Sequence, residues 1–467
     1  MNAEMSRREF LKTAGLGLGL LSLSGCALRE FGPSLLQPDQ RPNIVLIMAD
    51  DLGKEWISCY GAEGIETPNI DRLARDGIRF DNAYSMPQCT PSRVSLLTGQ
   101  YPFTHGWVNH WGVPQFGQGC RFDEKFYTAF PRLLQDAGYT TAIAGKWQLN
   151  DFRIESEVLA AHGFDDWCVW TGRESGNPAS EQRYWDPYIH TRSGSNIHYL
   201  AYGPDVYCNF LIDFARQNKD RPFFLYYPMC MIHKPFAQTP AEPLVFGPLD
   251  KFRAMIRYTD TLIGRLMDSL GSLGVRDNTV VIFLTDNGTA RDVSGVLNGR
   301  TVNGGKSTLR EAGVNSPFII SAPSGPTGIV SDALVDITDI YPTLIDFAGT
   351  TIPRSVSVDG KSFAGLVDGF SNGDREWILS MGFGLAKLNE AKRVVNVSDF
   401  ADRVIRDKQY KLVITEGDAS AFYDLKNDPG EETNILETAN TSQNAVKQHL
   451  LSVIRSLPSK DADRQYL

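Results

Sequence analysis

Four apolar runs end in residues able to do chemistry. Asn43 to Ala49 leads into Asp50-Asp51, Thr279 to Thr285 into Asp286-Asn287, and Thr140 to Gly145 into Lys146. Phe223 to Tyr227 continues through Met231-Ile232 to His233. One Asp pair after a strand is commonly a turn or a helix cap, but two such pairs after buried runs point to a shared site. Asp50, Asp51, Asp286 and Asn287 are oxygen-bearing side chains with no nearby Cys or His ligand cluster, which suits a hard cation, Ca²⁺ or Mg²⁺. Zinc would call for nitrogen or sulfur. Between two of these runs lies Ser85-Met86-Pro87-Gln88-Cys89-Thr90-Pro91-Ser92-Arg93, followed by Val94 to Gly99. Pro91 near the start and Gly99 at the end predict a short helix with Cys89 at its N-terminus. Free amides and the helix dipole there favour an anion and depress a thiol pKa. Arg93, one turn along, can return toward the same mouth. On these grounds an anion site with a reactive cysteine and a buried structural cysteine are equally open.

The elements that must position these groups follow from patterning. Continuous rather than alternating apolar runs indicate strands covered on both faces, as in a parallel sheet. Helical patterns at 69–77, 126–138 and 251–271, each ending near a glycine, separate them. Such alternation predicts an α/β fold with ligands beyond the carboxyl ends of the strands. From about Arg375 the pattern changes to short strands and a helix at 442–456. The chain has 467 residues with 42% hydrophobic and 11% aromatic content, enough for one large domain and a smaller one. Its formal charge of -9 makes it a poor general nucleic-acid binder. An anionic substrate must therefore meet a local cluster of positive charge.

The N-terminus is read as an address. Ser6-Arg7-Arg8-Glu9-Phe10-Leu11-Lys12 precedes an apolar, Gly-rich run to Gly25 that is too short to span a bilayer. The paired arginines resemble a twin-arginine export signal. Leu23-Ser24-Gly25-Cys26 resembles a lipobox in which Cys26 is lipidated. Export permits disulfides, but spacing does not fix pairing among Cys59, Cys89, Cys120, Cys168, Cys208 and Cys230.

Cys89-Thr90-Pro91-Ser92-Arg93 with Leu96-Leu97-Thr98-Gly99 resembles the signature of the type I sulfatases, of the alkaline-phosphatase-like superfamily. Thr67 to Ala74, Gly145-Lys146-Trp147, Asp286-Asn287-Gly288, Gly304-Gly305-Lys306 with Glu311, and Tyr423-Asp424-Leu425 match in order, so the resemblance runs from residue 42 to about 436. It implies an α/β large domain, its mixed and mostly parallel sheet flanked by helices, plus a smaller C-terminal antiparallel sheet with a packed helix. The divisions are an export signal at 1–25, a tether at 26–41, a catalytic domain at 42–373 and a C-terminal subdomain at 374–467. Cys89 would be converted by a maturation enzyme to formylglycine, whose hydrate attacks sulfur and later expels sulfate by elimination. Asp50, Asp51, Asp286, Asn287 and residue 89 would hold the metal. Arg93 would steady the hydrate, Lys146 and Lys306 would bind sulfate, and His233 with Lys306 would protonate the leaving group.

One departure is that the family usually has His where this chain has Gln148. Glutamine can orient a hydroxyl but cannot take its proton, and His105 is the candidate replacement base. Trp107, His110, Trp111 and Phe116, with Trp167, Trp170, Arg183, Trp185 and Tyr199, suggest loops that stack on sugars and pair with sulfates. Other aromatics in these loops would only pack them onto the body. The expected activity is removal of sulfate from a sulfated polysaccharide or oligosaccharide by a bacterial lipoprotein, periplasmic or anchored in the outer membrane. A phosphate or phosphonate ester hydrolase and a non-catalytic glycan-binding lipoprotein are the alternatives.

Overall fold

Ten strands make the central sheet of the computed structural model, which describes residues 41–465 apart from 117–119, 324, 370, 372 and 374. The export signal, nearly all of the tether, and Cys26 lie outside the described residues. In chain order the strands are β1 (Asn43–Ala49), β2 (Ile78–Tyr84), β3 (Thr140–Lys146), β4 (Asp166–Trp170), β5 (Tyr188–Thr191), β6 (Gly194–Ile197), β7 (Phe223–Pro228) and β8 (Thr279–Thr285). A hairpin, β9 (Ser294–Leu297) and β10 (Arg300–Asn303), intervenes before β11 (Phe318–Ser321) and β12 (Ile329–Asp336) complete the sheet. The spatial order is β12-β2-β11-β8-β1-β7-β3-β4-β5-β6. Strands β8, β1, β7, β3 and β4 form a parallel block, β11 on one side and β5 on the other run antiparallel to it, and β6 pairs antiparallel with β5.

Every residue of β1, β7 and β8 is buried, the reason their sequences show no polar alternation. Alternate side chains enter separate cores. Ile44, Leu46 and Met48 pack on one face with the helix Cys89–Thr98, while Val45, Ile47 and Ala49 pack on the other with the helices Pro68–Arg75 and Pro248–Ser272. Each fully buried aliphatic side chain stabilises by roughly 1.5–3 kcal/mol. The pattern expected over 126–138 yields a shorter helix, Phe130–Asp136, because Pro131 suits only a first turn.

Strands β13 (Ile378–Met381), β16 (Arg403–Arg406), β17 (Tyr410–Thr415) and β18 (Asp418–Asp424) form an antiparallel sheet in that order. Strands β14 (Lys387–Leu388) and β15 (Val394–Val395) pair beside it. Leu379, Ile405, Leu412 and Phe422, with Leu450 and Ile454 of the helix Thr441–Ser456, join the first core. No helix among the described residues is long and apolar enough to cross a membrane.

Candidate active site

The carboxyl ends of four neighbouring strands, β8, β1, β7 and β3, deliver the predicted groups to one place. Adjacent register puts Ala49 opposite Thr285, so Asp50-Asp51 and Asp286-Asn287 leave the sheet side by side. One carboxylate oxygen from each of Asp50, Asp51 and Asp286 lies within 4.8 Å of the others, and Asp50, Cys89 and His233 meet the same criterion. Asn287 Nδ2 donates to Asp51 Oδ1 at 2.8 Å. Asp51 is held at φ 60°, a left-handed conformation that non-glycine residues avoid and functional sites often retain. Lys146 ends β3 after Gly145, where φ is 124° and a Cβ would lie 2.0 Å from the Pro228 carbonyl of β7. Only glycine lets the strands approach so closely at that point.

The helix Cys89–Thr98 begins at Cys89 and ends at Gly99 as expected, and all ten of its residues are buried. Cys89 itself is 2% exposed. Arg93 does return to the mouth, donating to Asp286 Oδ2 at 2.7 Å and lying 3.5 Å from Asp50 Oδ2. Lys146 Nζ meets Asp50 Oδ2 at 2.5 Å, and Lys306 Nζ meets Asp51 Oδ1 at 2.6 Å. Three carboxylates therefore face three cations. Burial alone would raise the Asp50 pKa, but Lys146, with Arg93 and Lys306, holds it far below the usual carboxylate range. For Asp286, burial and then the Asp50 charge win over Arg93, and its pKa is driven up. The two carboxyls cannot both ionise comfortably without further positive charge. Asp50 Oδ1 and Asn287 Oδ1 are buried with no hydrogen-bond partner. Orphaned oxygens, crowded carboxylates and an all-oxygen donor set fit a hard divalent cation.

His233 lies between this cluster and the loop that follows β7. Its Nδ1 lies 2.7 Å from the Lys234 carbonyl and 3.3 Å from Arg183 Nη1, and Nε2 lies 3.9 Å from Asp51 Oδ2. Burial lowers the imidazole pKa to about 3, aided by Lys306 and opposed by Asp51, so the ring is neutral. Arg183 braces it, donating to the Lys234 carbonyl at 2.6 Å and stacking 4.4 Å from the Trp170 ring. For Lys306, burial is outweighed by Asp51, which keeps the ammonium charged.

His105 does not join the site. Its Nε2 pairs with Ser95 Oγ at 3.0 Å and its Nδ1 accepts from the Trp107 amide at 3.0 Å, with the ring buried. It is a packing residue, and the expectation that it replaces the missing base fails because both nitrogens are engaged in the core. His110 lies nearer. Its Nδ1 meets the hydroxyl of Thr90, next to Cys89, at 2.9 Å. Burial, followed by Lys306 and Lys146, pushes its pKa down to about 3, so it feels the site's cations. The signal for His110 was a contact between residues twenty positions apart, which spacing does not reveal. Gln148 sits at φ 71°, its amide facing Gly112 and its Oε1 buried without a partner.

The aromatic loops divide. Trp107, Trp111, Trp167 and Trp170 are buried, so Trp111 is a packing residue rather than an open stacking platform, while Trp185 and Tyr199 are exposed. Cys59, Cys89, Cys168, Cys208 and Cys230 carry free thiols.

Residues 42–350 match the profile of the family described as Sulfatase, and residues 305–459 match that described as N-sulphoglucosamine sulphohydrolase, C-terminal. Human N-acetylgalactosamine-6-sulfatase is 34% identical over 350 residues, which make up 69% of this chain and 65% of that protein. The chain thus spans just under two thirds of that relative's length. Human arylsulfatase A is 32% identical over 442 residues, 85% of this chain and 83% of the relative. Among solved structures, Ps i-CgsB in complex with k-i-k-neocarrahexaose superposes with a TM-score of 0.74 at 22% identity. That alignment covers 92% of this chain and 95% of the other.

Proposed function

The chain belongs to the sulfatase family, and on that premise we propose that it removes sulfate from a sulfated polysaccharide or oligosaccharide. The observation that carries the reading is the charge balance around Asp50. Asp50, Asp51 and Asp286 are offset by Arg93, Lys146 and Lys306. A divalent cation on the orphaned oxygens leaves a net positive pocket at the start of a helix, which is what a sulfate ester requires. Ca²⁺ is the proposed ion, with Mg²⁺ the alternative, held by Asp50, Asp51, Asp286, Asn287 and residue 89.

Formylglycine made from Cys89 supplies a hydrated aldehyde nucleophile, and the ion supplies charge neutralisation. The chain's own residues do the rest. Lys146 and Lys306 grip sulfate oxygens as point charges. Arg93 fixes Asp50 and Asp286 from beneath. His233 together with Lys306, whose ammonium is charged, would pass a proton to the leaving oxygen. The loss of histidine at Gln148 favours a second reading, a glycan-binding protein that does not turn over.

The names of the relatives support a sulfated sugar as substrate: one is an N-acetylgalactosamine-6-sulfatase, and Ps i-CgsB is described with a neocarrahexaose. The N-terminal residues support an exported lipoprotein anchored through Cys26 and matured by a formylglycine-generating enzyme. Mass analysis of the peptide around residue 89, from a host able to carry out the maturation, is expected to find an aldehyde. The same protein is expected to release sulfate repeatedly. A retained thiol removes the hydrolase reading, and a single stoichiometric burst selects the binding one.

A further inference from the structure

A cavity of about 440 Å³ beside the acidic cluster is lined by Ala290, Arg291, Lys306, Ser307, Phe383 and Gly384. Because the Lys306 ammonium also meets Asp51, the cavity adjoins the candidate site directly. Arg291 is occupied as a brace, donating to the carbonyls of Lys306 at 3.0 Å and Ser307 at 2.8 Å. Lys306 therefore supplies the cationic wall. The same lining includes an apolar aromatic, Phe383, which is 50% exposed.

That exposure is built in rather than loose. Asn109 Nδ2 donates to the Phe383 carbonyl at 2.6 Å, and the His110 amide donates to the Gly384 carbonyl at 3.0 Å. The Gly382 amide reaches the Asp402 carbonyl at 3.0 Å. Gly382 and Gly384, at φ 83° and 76°, turn the chain left-handed on both sides of the phenylalanine. A Cβ at Gly382 would lie 2.3 Å from the Val108 carbonyl, so the corner cannot be made with another residue. The fold thus holds an aromatic face out beside a lysine.

We propose that Phe383 is the platform on which the sugar ring bearing the sulfate stacks, while Lys306 takes the anionic end. A pyranose has an apolar C–H face that matches an aromatic face, and its sulfate group projects from the ring edge. The cavity volume is near the lower end of small-ligand pockets, roughly 300–1,000 Å³, so it takes one or two sugar units rather than a long segment. This inference rests on the sulfatase reading and adds the occupant of its leaving-group side.

The test compares wild type with Phe383→Ala, Phe383→Tyr and Phe383→Trp on a panel of chondroitin sulfate, heparin and carrageenan oligosaccharides, with inorganic sulfate as competitor. On whichever glycan the wild type turns over, F383A is expected to lower kcat/KM about tenfold, mainly through KM. F383Y and F383W are expected to stay within about twofold, and inhibition by inorganic sulfate to be unchanged. In calorimetry on unmodified Cys89→Ala protein, adding F383A is expected to weaken binding of that glycan by about the same factor. Wild-type kcat/KM in F383A overturns the platform and leaves the sulfatase reading standing, as does equal loss of sulfate inhibition. No sulfate release by wild type from any panel member overturns the reading itself, and the platform with it.

Discussion

Arg93 joins two carboxylates that would otherwise repel each other in the interior. It donates to Asp286 at 2.7 Å and lies 3.5 Å from Asp50, with almost no exposure. Removing one member of such a buried group costs about 3–5 kcal/mol, because its partners are left uncompensated. Arg93→Ala is therefore expected to lower stability in urea by that amount and to abolish sulfate release. A second pair of outcomes separates the two histidines of the aromatic loop. Taking His110, whose Nδ1 meets the hydroxyl of Thr90 beside residue 89, as the base in place of His105, His110→Ala is expected to cut kcat about a hundredfold with little change in stability. His105→Ala is expected to keep kcat while losing about 1–3 kcal/mol, since it strips partners from Ser95 Oγ and the Trp107 amide. Steady-state kinetics and denaturant unfolding on both variants check this, and a larger kcat loss in His105→Ala would reverse the assignment. In the sequence the two histidines look alike. What separates them is whether Ser95 or Thr90 faces the ring, and that is set by how the loop folds back over the helix.

Among the elements, the four strands that carry the site were legible because complete burial erases polar alternation and leaves each polar terminus conspicuous. Helix ends were less so: Pro131 moved one start by four residues from the expected 126. The close approach at Gly145 gives a direct check on the β3–β7 pair. Gly145→Ala places a Cβ 2.0 Å from the Pro228 carbonyl at φ 124°, and a loss of about 2–4 kcal/mol with displacement of Lys146 is expected in thermal melts. Glu311, quoted in the sequence only as part of a motif, proves to tie the two sheets together. It meets Arg406 at 2.8 Å and Lys411 at 3.1 Å. Although burial alone would raise its pKa, Lys411 and Arg406 hold it down at about 2. A depressed carboxyl contributes stability that is present above its unfolded pKa and lost as pH falls through the folded one. Acid unfolding is therefore expected to steepen below about pH 4.5 and to continue toward pH 2. Glu311→Gln should flatten that limb while lowering stability at pH 7, as read by circular dichroism.

For the molecule as a whole, the crowded carboxylates would make stability depend on the proposed ion. Protein stripped with a chelator is expected to melt lower, and Ca²⁺ at a hundred times its Kd to restore about 2.7 kcal/mol by mass action. Calorimetry in which neither Ca²⁺ nor Mg²⁺ moves the transition would count against the donor set. The substrate was the least legible feature, because a tryptophan that seals a loop and one that greets a sugar read the same in sequence. Trp167 is buried and Tyr199 is 75% exposed, and only the packed structure assigns them.

The sealed helix that begins at Cys89 has a consequence for how the protein must be made. No side chain on it is open to solvent, so a second enzyme cannot grasp this segment once the sheet has closed over it. On the proposed reading, conversion of the thiol would belong to the life of the nascent chain. Natively purified protein that missed that window should stay inert however long it is incubated with the modifying enzyme, and should respond only after being unfolded and presented again as an extended strand.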